Sequence, residues 1–173
     1  MEKSRRPKLL LLAGANGVGK STLSMQVANF LEIKKVVSTD TVREVLRSNV
    51  DAVESPELHR SSFSVGKHNH PTSDWEDCCN VISNGIEAII DKSRREGTDL
   101  ILEGVHLKPN NQIIRKWVKE GGIVIGLILY VHNEENHKKM IISREKDTWR
   151  NAERYLGSFD KIRMIQTGIL DMG

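Results

Sequence analysis

Cysteine is nearly absent from this chain. Its 173 residues include two, Cys78 and Cys79, and they are neighbours, which excludes a disulfide framework and makes a reducing cytoplasm the expected setting. Aromatic residues are scarce at 5%, with no stripe of them suited to stacking nucleic-acid bases. An excess of one charge is missing too: 26 Lys and Arg stand against 23 Asp and Glu, a net charge of +3 with the two signs interleaved. That argues against nucleic acid as a partner, which calls for a basic face or channel. Long hydrophobic runs are lacking. The longest, from Ile123 to Val131, falls far short of the ~20 residues that span a bilayer, so no membrane partner is expected. The charged start, Met1 to Lys8, leads into an apolar run that ends at Ala13, without the ~7–15 apolar residues of a signal peptide. His68 and His70 with Cys78 and Cys79 match no common zinc spacing. Internal repeats and low-complexity tracts are absent as well.

What is present is 38% hydrophobic and 28% charged residues, the profile of a soluble globular domain. The length suggests a single domain spanning 1–173. Short apolar runs alternate with longer amphipathic stretches. Strands are expected at Lys8–Gly14, Lys35–Thr39, Asp99–Glu103 and Ile123–Val131, the last buried on both faces. Helices are expected at Gly19–Leu31, with Leu23, Val27, Ala28 and Leu31 inward, and at Thr41–Arg47, with Asp40 as N-cap. A long helix is expected from a capping box at Ser73–Glu76 to about Glu96, with Ile82, Ile86, Ile89 and Ile90 inward and Gly97 as its stop. Further helices are expected at Pro109–Glu120, Asn133–Glu145 and Asp160–Leu170. Residues 48–72, with Pro56, Pro71 and three of the six histidines, read as a mobile insert with at most short helices, a substrate-side flap. Alternating strands and helices predict an α/β fold with a parallel sheet and right-handed crossovers. Four strands are visible, so the sheet is expected to be small or to lack a final strand.

Gly14-Ala15-Asn16-Gly17-Val18-Gly19-Lys20-Ser21 matches the phosphate-loop pattern G-x-x-x-x-G-K-[ST] in full, between a buried strand and an amphipathic helix. Glycines there let successive backbone N–H groups converge on phosphate oxygens at a helix N-terminus. Residues Gly14 to Ser21, with Thr22, are therefore the expected nucleotide-binding residues, Lys20 neutralising the β- and γ-phosphates and the Ser21 hydroxyl on Mg²⁺. Ligands of such folds lie beyond the carboxyl ends of the strands. Two acids are expected there. Glu103 closes the third strand, the Walker B position, and is assigned to Mg²⁺. Asp40 follows the second and is either a helix cap or the group that accepts the proton of an acceptor hydroxyl. Arg43, one turn past Asp40, faces the same mouth and suits a carboxylate or phosphate. These features point to an ATP-dependent kinase with a small anionic acceptor. A nucleoside or nucleotide kinase, a polynucleotide kinase and a nucleotide-binding regulator are the alternatives. The pattern specifies no oligomeric state.

Ser38-Thr39-Asp40-Thr41-Val42-Arg43-Glu44 and Leu102-Glu103-Gly104-Val105-His106-Leu107-Lys108-Pro109, together with the phosphate loop, resemble the 2-phosphoglycerate kinases, small P-loop kinases of archaea and bacteria. Leu58–Phe63 and Phe159–Gln166 are similar to stretches of the same family. The resemblance runs from Leu9 to about Gln166. It implies a P-loop NTPase fold of the nucleoside-monophosphate-kinase kind, three-layered, with a helical lid. It also implies ATP-dependent phosphorylation of a hydroxyl of 2-phosphoglycerate, giving 2,3-bisphosphoglycerate. The family continues past the last of these stretches into one more strand, and its archaeal members tend to carry an extra N-terminal domain. Arg60 in the flap and His106 after the third strand are expected to meet the acceptor. P-loop kinases of this type place lid arginines on the γ-phosphate, and Arg144 and Arg150, in and beside a lid at 145–154, are the catalytic candidates.

Overall fold

Short, nearly continuous apolar runs form the strands, and the stretches between them, each longer than a hairpin allows, become crossover helices. The computed structural model describes residues 6–109, 111–146 and 152–173. In chain order the elements are β1 Lys8–Ala13, α1 Lys20–Phe30, β2 Val36–Ser38, α2 Thr39–Arg47, α3 Pro56–His59, α4 Pro71–Glu96, β3 Leu100–Gly104, α5 Asn111–Lys119, β4 Ile123–Ile128, α6 Glu134–Lys146, α7 Ala152–Leu156 and α8 Phe159–Asp171. The strands form one four-stranded sheet in the order β2-β3-β1-β4. Every pairing is parallel.

Side chains alternate across the sheet. Leu9 and Leu11 pack with Trp75, Ile82, Ile86, Ile162, Ile165 and Ile169 from α4 and α8, whereas Leu10 and Ile101 pack under α1 with Ala28 and Ile33. Helices on both faces make three layers, as expected. The long helix α4 ends where Gly97 takes φ 61°. Its Trp75 is fully buried and satisfies its indole by donating to the Val105 carbonyl at 2.7 Å, which fixes the segment after β3. Register brings the strand ends level: Ser38 pairs with Glu103, and Ala13 with Gly104. The segments that leave β1, β2 and β3 thus emerge side by side at one edge.

Several expectations need correcting. The last strand ends at Ile128 and lies at the sheet edge, with Ile123, Ile125 and Leu127 between 41% and 54% exposed. An all-apolar run reads as buried on both faces wherever it sits, but β4 has a strand neighbour on one side only, and α1 packs over β1, β2 and β3. In α1 the buried residues are Lys20, Ser24 and Ala28, while Leu31 is 38% exposed. The stretch 48–72 holds one short helix, α3, as expected, but it also places Leu58 and Phe63 in the core, which its scarcity of apolar residues does not suggest.

Asp74 anchors the rest of that stretch. The helix α4 begins at Pro71, ahead of the expected capping box, with His70 as N-cap and no side-chain cap. Asp74, in its first turn, is wholly buried and accepts backbone N–H groups from Gly66, His68 and His70 at 2.8–3.2 Å. Burial pushes its carboxyl up, but those three amides and the Arg60 guanidinium outweigh it and hold it below the ordinary range. A depressed carboxylate contributes stability at neutral pH that is lost as pH falls below the usual range for aspartate. Asp74→Asn is therefore expected to destabilise by about 3 kcal/mol at pH 7 and to flatten the acid limb of a stability-versus-pH curve, read by urea melts between pH 3 and 7.

Candidate active site

Residues 14–19 carry the chain from β1 into α1. Gly17 and Gly19 sit at φ 81° and 90°, the left-handed region that glycine enters without strain. Gly19 is also the N-cap of α1, and no side chain caps this helix. Its first-turn amides and the positive end of its dipole are thereby left for an anion. Lys20 opens the helix and is buried, its Nζ donating to the Ala15 carbonyl at 2.7 Å. Burial lowers its pKa to about 8, with Glu103 and Asp40 opposing the shift and Arg144 adding to it. Glu103, Asp40 and Arg144, three of the charged groups expected at the site, are thus within electrostatic reach of one ammonium.

Glu103 is buried, unlike an ordinary acid at a strand end, and accepts the Ser21 hydroxyl at Oε1, 3.0 Å away. A hydroxyl and a carboxylate oxygen side by side next to a phosphate loop are hard donors of the sort Mg²⁺ takes, with phosphates and water completing its shell. The two residues assigned to the metal by sequence therefore do come together.

Asp40 is not the helix cap. Ser38 caps α2, its Oγ accepting the Thr41 amide at 3.3 Å, and Asp40 stands in the first turn, half exposed. Its Oδ1 lies 3.5 Å from Nδ1 of His106. His106 is buried behind it, with Thr39 Oγ1 3.4 Å from the same ring nitrogen and also 3.4 Å from the His106 backbone N–H. Burial lowers the His106 pKa to about 4 against the pull of Asp40, Arg43 and Lys20 lowering it further, so the ring is neutral at pH 7. The corner is close-packed: a Cβ on Gly104, at φ 155°, would run into the Thr39 side chain.

Arg43 is mostly buried. It donates to the Arg60 carbonyl at 2.7 Å and stands 3.4 Å from Glu44, while its Nε is buried without a hydrogen-bond partner among the described residues. Arg60 donates to the Asp74 carbonyl at 2.7 Å, so its guanidinium is bound into the loop that it was expected to carry over the acceptor. Arg144 lies exposed near the end of α6. Arg150 lies outside the described residues, with the rest of 147–151 in the expected lid. After them, Arg154 of α7 donates to the Ser61 hydroxyl and stacks 5.8 Å over Phe63. Thr22 is exposed in the first turn of α1.

Sequence reasoning missed Ser62 and His137. Ser62 donates to Asn16 Oδ1 at 3.0 Å, and Nε2 of His137 lies 2.8 Å from the Asn16 carbonyl. These contacts span 46 and 121 residues of chain, beyond any local pattern.

No family model matches the chain. Curated proteins do. It is 35% identical over 171 residues to a 2-phosphoglycerate kinase of Methanocaldococcus jannaschii, covering 95% of this chain and 55% of that protein. It is 34% identical to the enzyme of the same name from Methanopyrus kandleri, covering 99% of this chain and 54% of the relative. A third, from Pyrococcus horikoshii, is 33% identical, with 95% and 55% covered. This chain is similar to the 2-phosphoglycerate kinases. It spans about half the length of these relatives. Among solved structures, a candidate kinase from Chloroflexus aurantiacus superposes with a TM-score of 0.55 at 17% identity, covering 94% of this chain and 76% of that one. A chain of the Pnkp1/Rnl/Hen1 RNA repair complex gives 0.55 at 17% identity, with 99% and 46% covered. At that identity the likeness concerns the three-layer α/β fold alone.

Proposed function

We propose that this chain is a phosphotransferase domain that uses ATP with Mg²⁺, moves the γ-phosphoryl group to a hydroxyl of a small anionic acceptor, and takes 2-phosphoglycerate as that acceptor. The observation that carries this reading is the gathering of Lys20, the Ser21–Glu103 pair and Asp40 at the sheet edge where β1, β2 and β3 end, in a chain about one-third identical to 2-phosphoglycerate kinases. The loop amides and Lys20 bind and orient the phosphates. Ser21 and Glu103 would hold Mg²⁺, which when bound neutralises charge on the transferring group. Asp40 is the exposed carboxylate beside them. It orients the acceptor hydroxyl and takes its proton as oxygen attacks the γ-phosphorus and the bond to the β-phosphate breaks, releasing ADP. Arg43, whose Nε has no partner among the described residues, supplies positive charge for the acceptor's carboxylate or phosphate. Arg144 and Arg150 supply the lid charge.

A nucleotide-binding regulator would have no use for an exposed carboxylate and an adjacent arginine at this edge. The proposal is tested by following Mg²⁺-dependent ADP release with 2-phosphoglycerate, 3-phosphoglycerate, a set of sugars and a set of nucleosides as separate acceptors. Release is expected with 2-phosphoglycerate above all others. Release with a nucleoside alone would move the chain to the alternative class of kinase, and none with any acceptor would leave a nucleotide binder.

A further inference from the structure

The phosphate loop is held from outside by α6. His137 is wholly buried, and its Nε2 lies 2.8 Å from the carbonyl oxygen of Asn16. Its ring packs edge-on against Phe159 of α8, with centroids 5.3 Å apart. One turn along α6, Ile141 stands so close to Gly17 that a Cβ there would overlap it. The loop and the helix are therefore in contact through a residue that only glycine allows.

The imidazole donates in this contact, because a carbonyl can only accept. Burial pushes the His137 pKa below its ordinary value, with the Asn16 bond opposing and Arg163 and Lys20 adding to the shift, so the ring is neutral at pH 7. A neutral ring carries one N–H. With that proton on Nε2, Nδ1 is a bare acceptor, and Nδ1 is indeed buried with no hydrogen-bond partner among the described residues. An orphaned acceptor is tolerated more readily than an orphaned donor.

The consequence lies one peptide bond away. In a trans peptide the C=O and the following N–H point to opposite sides. Drawing the Asn16 carbonyl toward α6 turns the Gly17 N–H away from α6, free for an anion. The Asn16 side chain is held separately, by Ser62 from the loop before α4. We infer that His137 is a positioning residue for the phosphate loop: by holding the Asn16 carbonyl it sets the peptide that presents the Gly17 amide to nucleotide phosphate, and it couples the loop to the helix that carries Arg144. This rests on the reading of residues 14–21 as a nucleotide site.

The test compares His137→Gln, whose Nε2 can donate to the same carbonyl, with His137→Met, a near-isostere of Gln with no donor. Calorimetric titration with Mg²⁺ and a non-hydrolysable ATP analogue is expected to show Met weakening binding by about 10- to 100-fold and Gln by less than about threefold. Equal binding by the Met variant, or equal weakening in both variants, would overturn the inference and leave His137 as packing. A second measurement needs no variant: the ¹⁵N shifts of the His137 ring in the unaltered chain at pH 7 are expected to show the Nε2–H tautomer, and the Nδ1–H tautomer would also overturn it. If the unaltered chain bound no nucleotide, the reading of the site would fall, and this inference with it; binding by the unaltered chain with indifferent variants would fell the inference alone.

Discussion

Lys20→Ala is expected to lower phosphoryl transfer by about 10³-fold or more while the fold persists. The ammonium's hydrogen bond is to the Ala15 carbonyl of its own loop, and its charge is buried, so its removal takes little from the core. The same burial gives a second signature. The folded pKa of about 8 lies below the unfolded 10.5, so between those values the unfolded chain binds more protons and stability rises with pH. Lys20→Ala should erase that rise. Phosphate needs the charged form, so above pH 8 binding must take up a proton, and nucleotide affinity should fall with pH by up to about tenfold per unit. Calorimetric titrations from pH 7 to 9.5, in buffers of different ionisation enthalpy, would show that uptake. Near-normal turnover in the variant would contradict the kinase reading.

Asp40→Asn is expected to lower turnover by about 10²–10⁴, the range for general acid–base groups, with the KM for ATP little changed. Since Ser38 caps α2, the substitution should leave the melting temperature nearly unaltered, which separates a chemical role from a capping one. Arg43→Ala should act on the acceptor instead, raising its KM by about 10²-fold if a charge-assisted bond is lost. Arg43 also donates to the Arg60 carbonyl, so its variant should lose some stability that Asp40→Asn keeps. Steady-state kinetics at saturating ATP, with thermal melts alongside, read both. Unchanged turnover in Asp40→Asn would send the search for the acceptor group elsewhere along the edge.

The parts of this site that are legible in the sequence are those fixed by local spacing or by strand ends. The phosphate loop is eight consecutive residues with its own backbone logic. Glu103 is placed by a general rule of parallel sheets, and the Ser21 contact bears out its nearness to the loop. Asp40 was legible as a residue but not in its surroundings, because Ser38 and Asp40 are both good caps and the chain must be folded to show which is used. The rest depends on contacts across the chain. Ser73–Glu76 has the pattern of a helix start, yet Asp74 spends its carboxylate on the amides of Gly66, His68 and His70. That ties the loop before α4 to the helix and draws Arg60 into the same contact. His137 lies in a helix with no marked apolar face, and only the packing of α6 on Gly17 reveals it. The exposure of Ile125 and Leu127 follows from the place of β4 in the sheet order, which no single-strand pattern encodes.

The most direct test of the central claim is ³¹P NMR of the chain incubated with Mg²⁺, ATP and 2-phosphoglycerate. Loss of the ATP γ-resonance should be matched by ADP and by a new phosphomonoester on the C3 oxygen of 2-phosphoglycerate, and the new signal should be absent with Lys20→Ala. Unchanged ATP, or conversion to ADP and inorganic phosphate with no second phosphate on the acceptor, would contradict it.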